Sequence, residues 1–361
     1  MTDKVVIAGG GTGGHLFPGI AVAEELIRRK EGWETIFIGT GKELERRILS
    51  RWGFNLITIP AAPLKGGTWW RKVSGLSTLF LGVWWARAHL RRIEPRLVIG
   101  LGGYSAGAVL IAAYLLRIKR VIQEQNVYPG LTNRMASRFA QRVFVSWAEG
   151  AQYFPPHKVR VTGNPLRRGI LEGRGKKREG KGFSILILGG SQGATAINRA
   201  MIETLPFLVE KKKDLRIIHQ TGEGDYRWVK GEYDKKDFQA SAYPFIDEMA
   251  SCYRKAHLVI CRSGAATITE LCALGRASVL IPYPHATDDH QRTNAQVLVQ
   301  KGAGRMISQE ELSGKKLAQE ILRLYHSRVD LQKMEAAAAS LGLPDAAARV
   351  VDECYQLLGM N

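Results

Sequence analysis

The chain is short of cysteine: Cys252, Cys261, Cys272 and Cys354 are its four, and no two form a C-x-x-C pair. That spacing argues against the common zinc and dithiol motifs and leaves reduced thiols as the expectation. No apolar run reaches the roughly 20 residues that a membrane span requires. The first apolar run, residues 5–8, passes straight into glycines, unlike a secretory signal. The P-loop ending in Gly-Lys-Ser/Thr is missing. Acidic residues are scarce beside basic ones: 33 Asp and Glu stand against 52 Lys and Arg, a net charge of +19. Such an excess attracts phosphate groups, on nucleotides, nucleic acid or an anionic membrane. No zinc-finger spacing or RNA-binding aromatic motif accompanies it, so nucleic acid is not the expected partner.

What is present is alternation. Short β-branched runs at residues 5–8, 35–38, 56–59, 97–99, 121–123 and 143–145 are separated by helical patterns such as 21–29 and 43–52. This predicts a parallel sheet with helices on both faces. Pro18 is placed near a helix start, where its missing N–H costs little. Residues 167–182, rich in Gly, Lys and Arg, read as a linker. Beyond it FSILIL (residues 183–188) opens a second series of strands, at 217–219, 258–261 and 279–281. The expected fold is α/β, with two Rossmann-like domains facing across a cleft, residues 1–164 and 165–344. A last helix near 345–358, within 345–361, is a candidate to pack back on the first domain.

Glycine turns follow strands in both halves. Gly9 to His15 reads GGGTGGH, residues 100–107 read GLGGYSAG, and residues 189–193 read GGSQG. A strand, a glycine turn and a helix start together make an anion- or sugar-binding corner. His15 adds a group that titrates near neutrality, the usual general base. A nicotinamide site would also need an acidic residue about 20 positions on, at the end of the second strand. That strand ends Ile38-Gly39-Thr40-Gly41, without one.

In the second half, Arg262-Ser263-Gly264 is a tight turn before a helix starting Ala265-Ala266-Thr267-Ile268-Thr269-Glu270. Ser263 is the expected N-cap. The helix start suits a diphosphate without a metal, and the Glu270 carboxylate suits a ribose diol. Asp288-Asp289-His290-Gln291-Arg292-Thr293-Asn294 is polar and amide-rich, as sugar hydroxyls require.

Several motifs occur in order: GGGTGGH, Gly102-Gly103-Tyr104, Glu124-Gln125-Asn126, Gly163-Asn164-Pro165-Leu166-Arg167, GGSQGA from Gly189, Phe245-Ile246-Asp247, R-S-G-A-x-T-x-x-E from Arg262, and D-x-Q-x-x-N-A from Asp289. Together, over nearly the whole chain, they resemble the MurG family of peptidoglycan glycosyltransferases. The resemblance implies the GT-B fold and transfer of N-acetylglucosamine from UDP-N-acetylglucosamine to lipid I. It also implies inversion at the anomeric carbon, no cofactor and no required metal. It places Thr12, Gly13 and Gly14 at the sugar face and makes His15 the base. Asn126 and Gln291 are assigned to the transferred sugar, Arg167 and Ser191 to the diphosphate, and the Ile246 backbone to uracil. Ala265, Ala266, Thr267, Ile268 and Thr269 are assigned to phosphate and ribose with Glu270. His290 stands where some relatives carry glutamine, and is read as a bystander. Three alternatives stay open: a related enzyme acting on another lipid, a UDP-N-acetylglucosamine 2-epimerase, and a non-catalytic UDP-sugar sensor.

One segment has another expected use. Residues 68–92 open on Thr68-Trp69-Trp70 and close on Arg91-Arg92, with residues 73–86 uncharged. Leu76, Leu79, Phe80, Val83 and Trp84 share one helical face. Tryptophan pairs and basic flanks suit an anionic membrane surface, giving a peripheral protein at the cytoplasmic face of the membrane.

Overall fold

The computed structural model describes residues 3–10, 13–29, 32–62, 69–175, 178, 182–190 and 193–360, with side chains of the helix beginning at Trp69 described from Ser77 onward. The chain divides into two compact units: Met1–Arg167 with Pro344–Asn361, and Arg168–Leu343.

In the first unit the strands are β1 (Asp3–Ala8), β2 (Trp33–Gly39), β3 (Asn55–Thr58), β4 (Leu97–Gly100), β5 (Lys119–Glu124), β6 (Arg142–Val145) and β7 (Val159–Val161). They form one sheet in the order β3-β2-β1-β4-β5-β6-β7. All neighbours pair in parallel, Ala8 lying between Ile38 and Gly100. The second unit repeats the scheme with β8 (Phe183–Leu188), β9 (Leu215–Gln220), β10 (Ala240–Tyr243), β11 (Leu258–Cys261), β12 (Ala277–Leu280) and β13 (Arg305–Met306). Their order is β10-β9-β8-β11-β12-β13, again parallel. Each sheet reverses its winding direction beside its first strand, between β1 and β4 and between β8 and β11. Both units are therefore Rossmann-like.

The central strands carry apolar runs unbroken across both faces, as at residues 5–8, 97–99 and 258–261, because helices cover both sides of the sheet. Val6 and Ala8 face one layer with Leu90, Ile122 and Val143. Val5 and Ile7 face the other with Leu16, Ile20, Val350 and Cys354. The latter pair comes from the helix Ala346–Leu358, which packs on the helix Gly13–Arg29. Trp33 Nε1 donates to Tyr355 Oη at 3.0 Å, and Asp352 and Glu353 pair with Arg29 and Arg142.

Three strands escape the sequence pattern: β7, β10 and β13. Each lies at a sheet edge, and edges need no continuous apolar run. Two helix expectations also change. The opening helix starts at Gly13 instead of residue 21, so Pro18 lies in its body and removes the bond to the Gly14 carbonyl.

The helix Trp69–Ile93 does not present one apolar face. Leu79 and Val83 pack on the core in line with Ala86 and Leu90. Phe80 and Trp84, from the same expected stripe, are 70% and 65% exposed, with Leu81 and Trp85 beside them. The helix lies against Gly103–Leu115. Positions 79, 83, 86 and 90 follow the helical repeat inward, so residues one position on point out. Leu76 lies outside the described side chains. Among the described residues no helix is long and apolar enough to cross a membrane.

The turn after β8 depends on Gly193, at φ 79°, where a Cβ would lie 2.1 Å from the Thr221 carbonyl oxygen. That carbonyl is itself held by Asn198 Nδ2 at 2.8 Å, and Asn198 Oδ1 is bonded to the buried His219. Gly193→Ala should destabilise the second unit by about 1–3 kcal/mol, from left-handed strain alone. Urea unfolding read by tryptophan fluorescence checks this; an unchanged midpoint would contradict the tight turn.

Candidate functional site

In open parallel sheets ligands bind beyond the carboxyl ends of the strands, where the winding reverses. In the first unit that place is the turn after β1 and the segment after β4. Leu101 N–H donates to the Ala8 carbonyl at 2.8 Å and Gly9 N–H to the Ile38 carbonyl at 3.1 Å. A Cβ on Gly9 would lie 2.8 Å from Leu101 Cβ, so only glycine allows this approach. Gly10 lies against Glu45, whose Oε1 would be 2.3 Å from an added Cβ. Glu45 accepts from Thr40 N–H at 2.9 Å, Gly41 N–H at 2.8 Å and Thr40 Oγ1 at 2.6 Å. The carboxylate missing from the end of β2 thus arrives from the next helix, fully buried, and braces the loop.

Gly13 and Gly14 open the helix and His15 lies in its first turn. Gly11 and Thr12, one of the expected site residues, lie outside the described residues. His15 Nδ1 is hydrogen-bonded to Gln125 Oε1 at 2.9 Å. The residue keeps partial solvent access, yet its ring is packed closely enough that burial lowers its pKa below the ordinary histidine value. The Gln125 and Leu101 carbonyls oppose that shift without reversing it. Gln125 is buried and its Nε2 donates to the Gln123 carbonyl at 3.0 Å.

Next to it, buried Glu124 accepts from Asn126 N–H at 3.0 Å, Gly130 N–H at 3.2 Å and Asn133 Nδ2 at 2.8 Å. Burial raises its pKa more than these donors lower it. Asn126 Nδ2 also donates to Glu124, at 3.3 Å, which orients that side chain. Arg167 closes the unit, its guanidinium carbon 4.1 Å from the Phe17 ring centroid and 5.6 Å from that of Trp52.

The second unit has a matching corner beside β8 and β11. Gln220, at the end of β9, spans it: Nε2 donates to the Gly190 carbonyl at 2.8 Å and Oε1 accepts from Ile246 N–H at 2.9 Å. Ser191 and Gln192 lie outside the described residues. After β11 the helix Ala265–Leu274 starts with Gly264 as its N-cap, no capping side chain and no acidic residue in its first turn. Among the described residues no side chain caps its first N–H groups, a setting for negative charge. Glu270, half-buried, accepts from Tyr253 Oη at 2.8 Å.

The helix His290–Gln300 follows Asp288 and Asp289, at φ 54° and 51°. Consecutive left-handed residues other than glycine store strain of the kind found at ligand sites. Gln291 Oε1 accepts from Tyr283 N–H at 3.0 Å, which fixes its side chain. His290 is tied to the Thr287 carbonyl at 2.7 Å.

One expectation needs correction, and three site assignments are narrowed. Ser263 is not the N-cap: its hydroxyl donates to the Gln291 carbonyl at 2.8 Å and its carbonyl accepts from Asn294 Nδ2 at 3.1 Å, tying two helix starts together. Ile268 is wholly buried and its N–H bonds the Gly264 carbonyl, so neither side chain nor amide is offered to a ligand. The Thr269 hydroxyl donates to the Ala265 carbonyl, which turns it inward. The Ile246 N–H is spent on Gln220, leaving its carbonyl as the backbone group for a base. Ala265, Ala266 and Thr267 form the first turn of the helix. Gln125 lies in the Glu124-Gln125-Asn126 motif and Gln220 directly follows the expected strand at 217–219, yet no local spacing gives either a role, and nothing in the sequence marks Tyr253.

The comparisons with known proteins agree with this layout. Residues 5–145 match the glycosyltransferase family 28 N-terminal domain and residues 184–350 its C-terminal domain. The chain is 45% identical over 359 residues to the UDP-N-acetylglucosamine–N-acetylmuramyl-(pentapeptide) pyrophosphoryl-undecaprenol N-acetylglucosamine transferase of Syntrophus aciditrophicus, covering 99% of each chain. It is 46% identical over 354 residues to the protein of the same name from Geobacter sulfurreducens, covering 97% of each. The crystal structure of Acinetobacter baumannii MurG superposes with a TM-score of 0.79 at 31% identity, over 98% of this chain and 99% of that one. From the matched domains and these full-length likenesses, the chain belongs to glycosyltransferase family 28.

Proposed function

We propose that the chain transfers N-acetylglucosamine from UDP-N-acetylglucosamine to the 4-hydroxyl of undecaprenyl-diphospho-N-acetylmuramyl-pentapeptide, lipid I, in peptidoglycan synthesis. The observation that carries the reading is full-length identity of 45% to a relative named for this transfer. The bonded pair of His15 and Gln125 at the first glycine corner supports it chemically.

In the proposed reaction the acceptor hydroxyl attacks the anomeric carbon as UDP departs, and the configuration inverts. His15 takes the hydroxyl proton, a contribution of about 100- to 10,000-fold from general bases. Because burial lowers its pKa, the imidazole is neutral, and so basic, at pH 7 and somewhat below. Thr12, Gly13 and Gly14 offer backbone to the sugars, and Asn126 a side-chain amide. Charge building on the diphosphate is met by the N–H groups of Ala265, Ala266 and Thr267, with Arg167 and Ser191. Glu270 holds the ribose hydroxyls, aligned by Tyr253. The Ile246 carbonyl takes the uracil N–H and Gln291 a sugar hydroxyl. This scheme calls on no metal and no cofactor.

The acceptor is lipid-linked, so a peripheral place at the cytoplasmic face of the membrane fits the reading. Exposed Phe80, Leu81, Trp84 and Trp85, near exposed Arg91 and Arg92, form the surface that would meet anionic lipid.

The two half-sites should respond oppositely to mutation. His15→Ala should keep donor affinity but lose turnover about 100- to 10,000-fold. In the intact enzyme the acid limb of the pH–rate profile should fall below about 6.5, the ordinary histidine value. Glu270→Ala should weaken donor binding about tenfold or more, the worth of a hydrogen bond to a charged group. Isothermal titration with donor, together with acceptor-dependent UDP release, reads both; equal turnover in His15→Ala would remove the base assignment. Flotation with anionic liposomes should carry the protein upward and Trp84→Ser with Trp85→Ser should leave it in the dense fraction. Equal recovery with and without lipid would contradict the membrane surface.

A further inference from the structure

We infer that Gln125 is a positioning residue whose side-chain carbonyl keeps the His15 proton on Nδ1, leaving Nε2 as the basic nitrogen. The inference rests on the reading of His15 as the base and adds which atom acts and what selects it.

The argument begins with an amide that has only one good orientation. Gln125 is 1% exposed, so water offers it little alternative partnership. Its Nε2 donates to the Gln123 carbonyl at 3.0 Å. Rotating the amide by half a turn would set oxygen against that carbonyl oxygen and lose the bond. The oxygen Oε1 is therefore the atom facing His15, and it can only accept. At 2.9 Å from Nδ1 it draws the hydrogen to Nδ1, ahead of the Leu101 carbonyl, the weaker acceptor beside the ring. A neutral imidazole with Nδ1 protonated carries its lone pair on Nε2.

The lever behind Gln125 is rigid. Gln123 lies in β5, paired to Phe144 of β6, and its side-chain Nε2 donates to the Gly163 carbonyl at 3.2 Å. The Gln123 carbonyl is thus fixed by the sheet, and the amide that reads it is fixed in turn.

A neutral amide in this role differs from a carboxylate. Triads with aspartate also set the tautomer, but they stabilise the imidazolium as well. Gln125 orients the ring without a full negative charge, so burial still wins and the ring stays unprotonated near neutrality. The surrounding titratable groups leave this intact. Glu124, on β5, spends its oxygens on Asn126, Gly130 and Asn133. Glu45 is taken up by Thr40 and Gly41, Arg167 lies over Phe17, and Tyr104 on the neighbouring helix is 44% exposed. Among the described residues, Gln125 is the side chain hydrogen-bonded to the ring.

The test uses full-length protein with 15N-labelled histidine, with nitrogen chemical shifts reporting which ring nitrogen carries hydrogen. Wild type should show His15 protonated on Nδ1 alone at pH 7. Gln125→Leu should show mixed tautomers and lose at least about tenfold in kcat with donor KM unchanged, as when triad tautomers are disturbed. Gln125→Glu, of the same size, guards against a merely structural loss. It should recover turnover at high pH while its acid limb moves up by about 1–3 units, as expected for an opposite charge at contact. An Nε2–H tautomer in wild type overturns the inference. So does a folded Gln125→Leu with unchanged kcat and acid limb beside an inactive His15→Ala, and in that case the base reading stands. Wild-type turnover in His15→Ala overturns both.

Discussion

The close approach of backbone at the carboxyl ends of the two parallel sheets is the constraint from which the rest follows. Gly9 at β1 and Gly193 at β8 let a loop lie against a neighbouring strand end where any side chain would collide. That approach sets where the next helix starts. In the first unit it places His15 within reach of the end of β5. In the second, the strand beside β8 leads into a helix start with no capping side chain and no acidic residue in its first turn. The sheets are conventional; the chemistry lies in what their strand ends hold up.

A second regularity runs through both units. Among the described residues, charged groups near the corners are met largely by neutral partners. Glu45 and Glu124 are buried carboxyls surrounded by N–H groups, and His15 is bonded to an amide. Gln220 joins Gly190 to Ile246 with the two ends of one amide. Amides impose direction on their partners while adding no net charge, which leaves the field at each corner to the helix starts and to the ligand.

Much of this was legible in the sequence. The central strands announced themselves because burial on both faces demands unbroken apolar runs, and the glycine turns followed them directly. Edge strands such as β13, only Arg305–Met306, carry no such demand and left no pattern. The Trp69–Ile93 helix was legible as a helix but not in which of its apolar residues turn inward, since Leu79 and Val83 pack on the core while Phe80 and Trp84 do not. Ser263 looked like a cap because caps are local, but its hydroxyl answers to Gln291, 28 positions away. Tyr253 beneath Glu270 and Gln125 behind His15 are likewise tertiary choices, set by strand order, and no local spacing encodes them.

The most direct measurement of the central claim is the structure of the product. UDP-N-acetylglucosamine and a soluble lipid I analogue would be incubated with the protein and the sugar product examined by NMR. The account predicts a disaccharide joined to the 4-hydroxyl of the acceptor with inverted anomeric configuration, one UDP released for each. An epimerised UDP-sugar, a retained configuration, or UDP release that ignores the acceptor would contradict it.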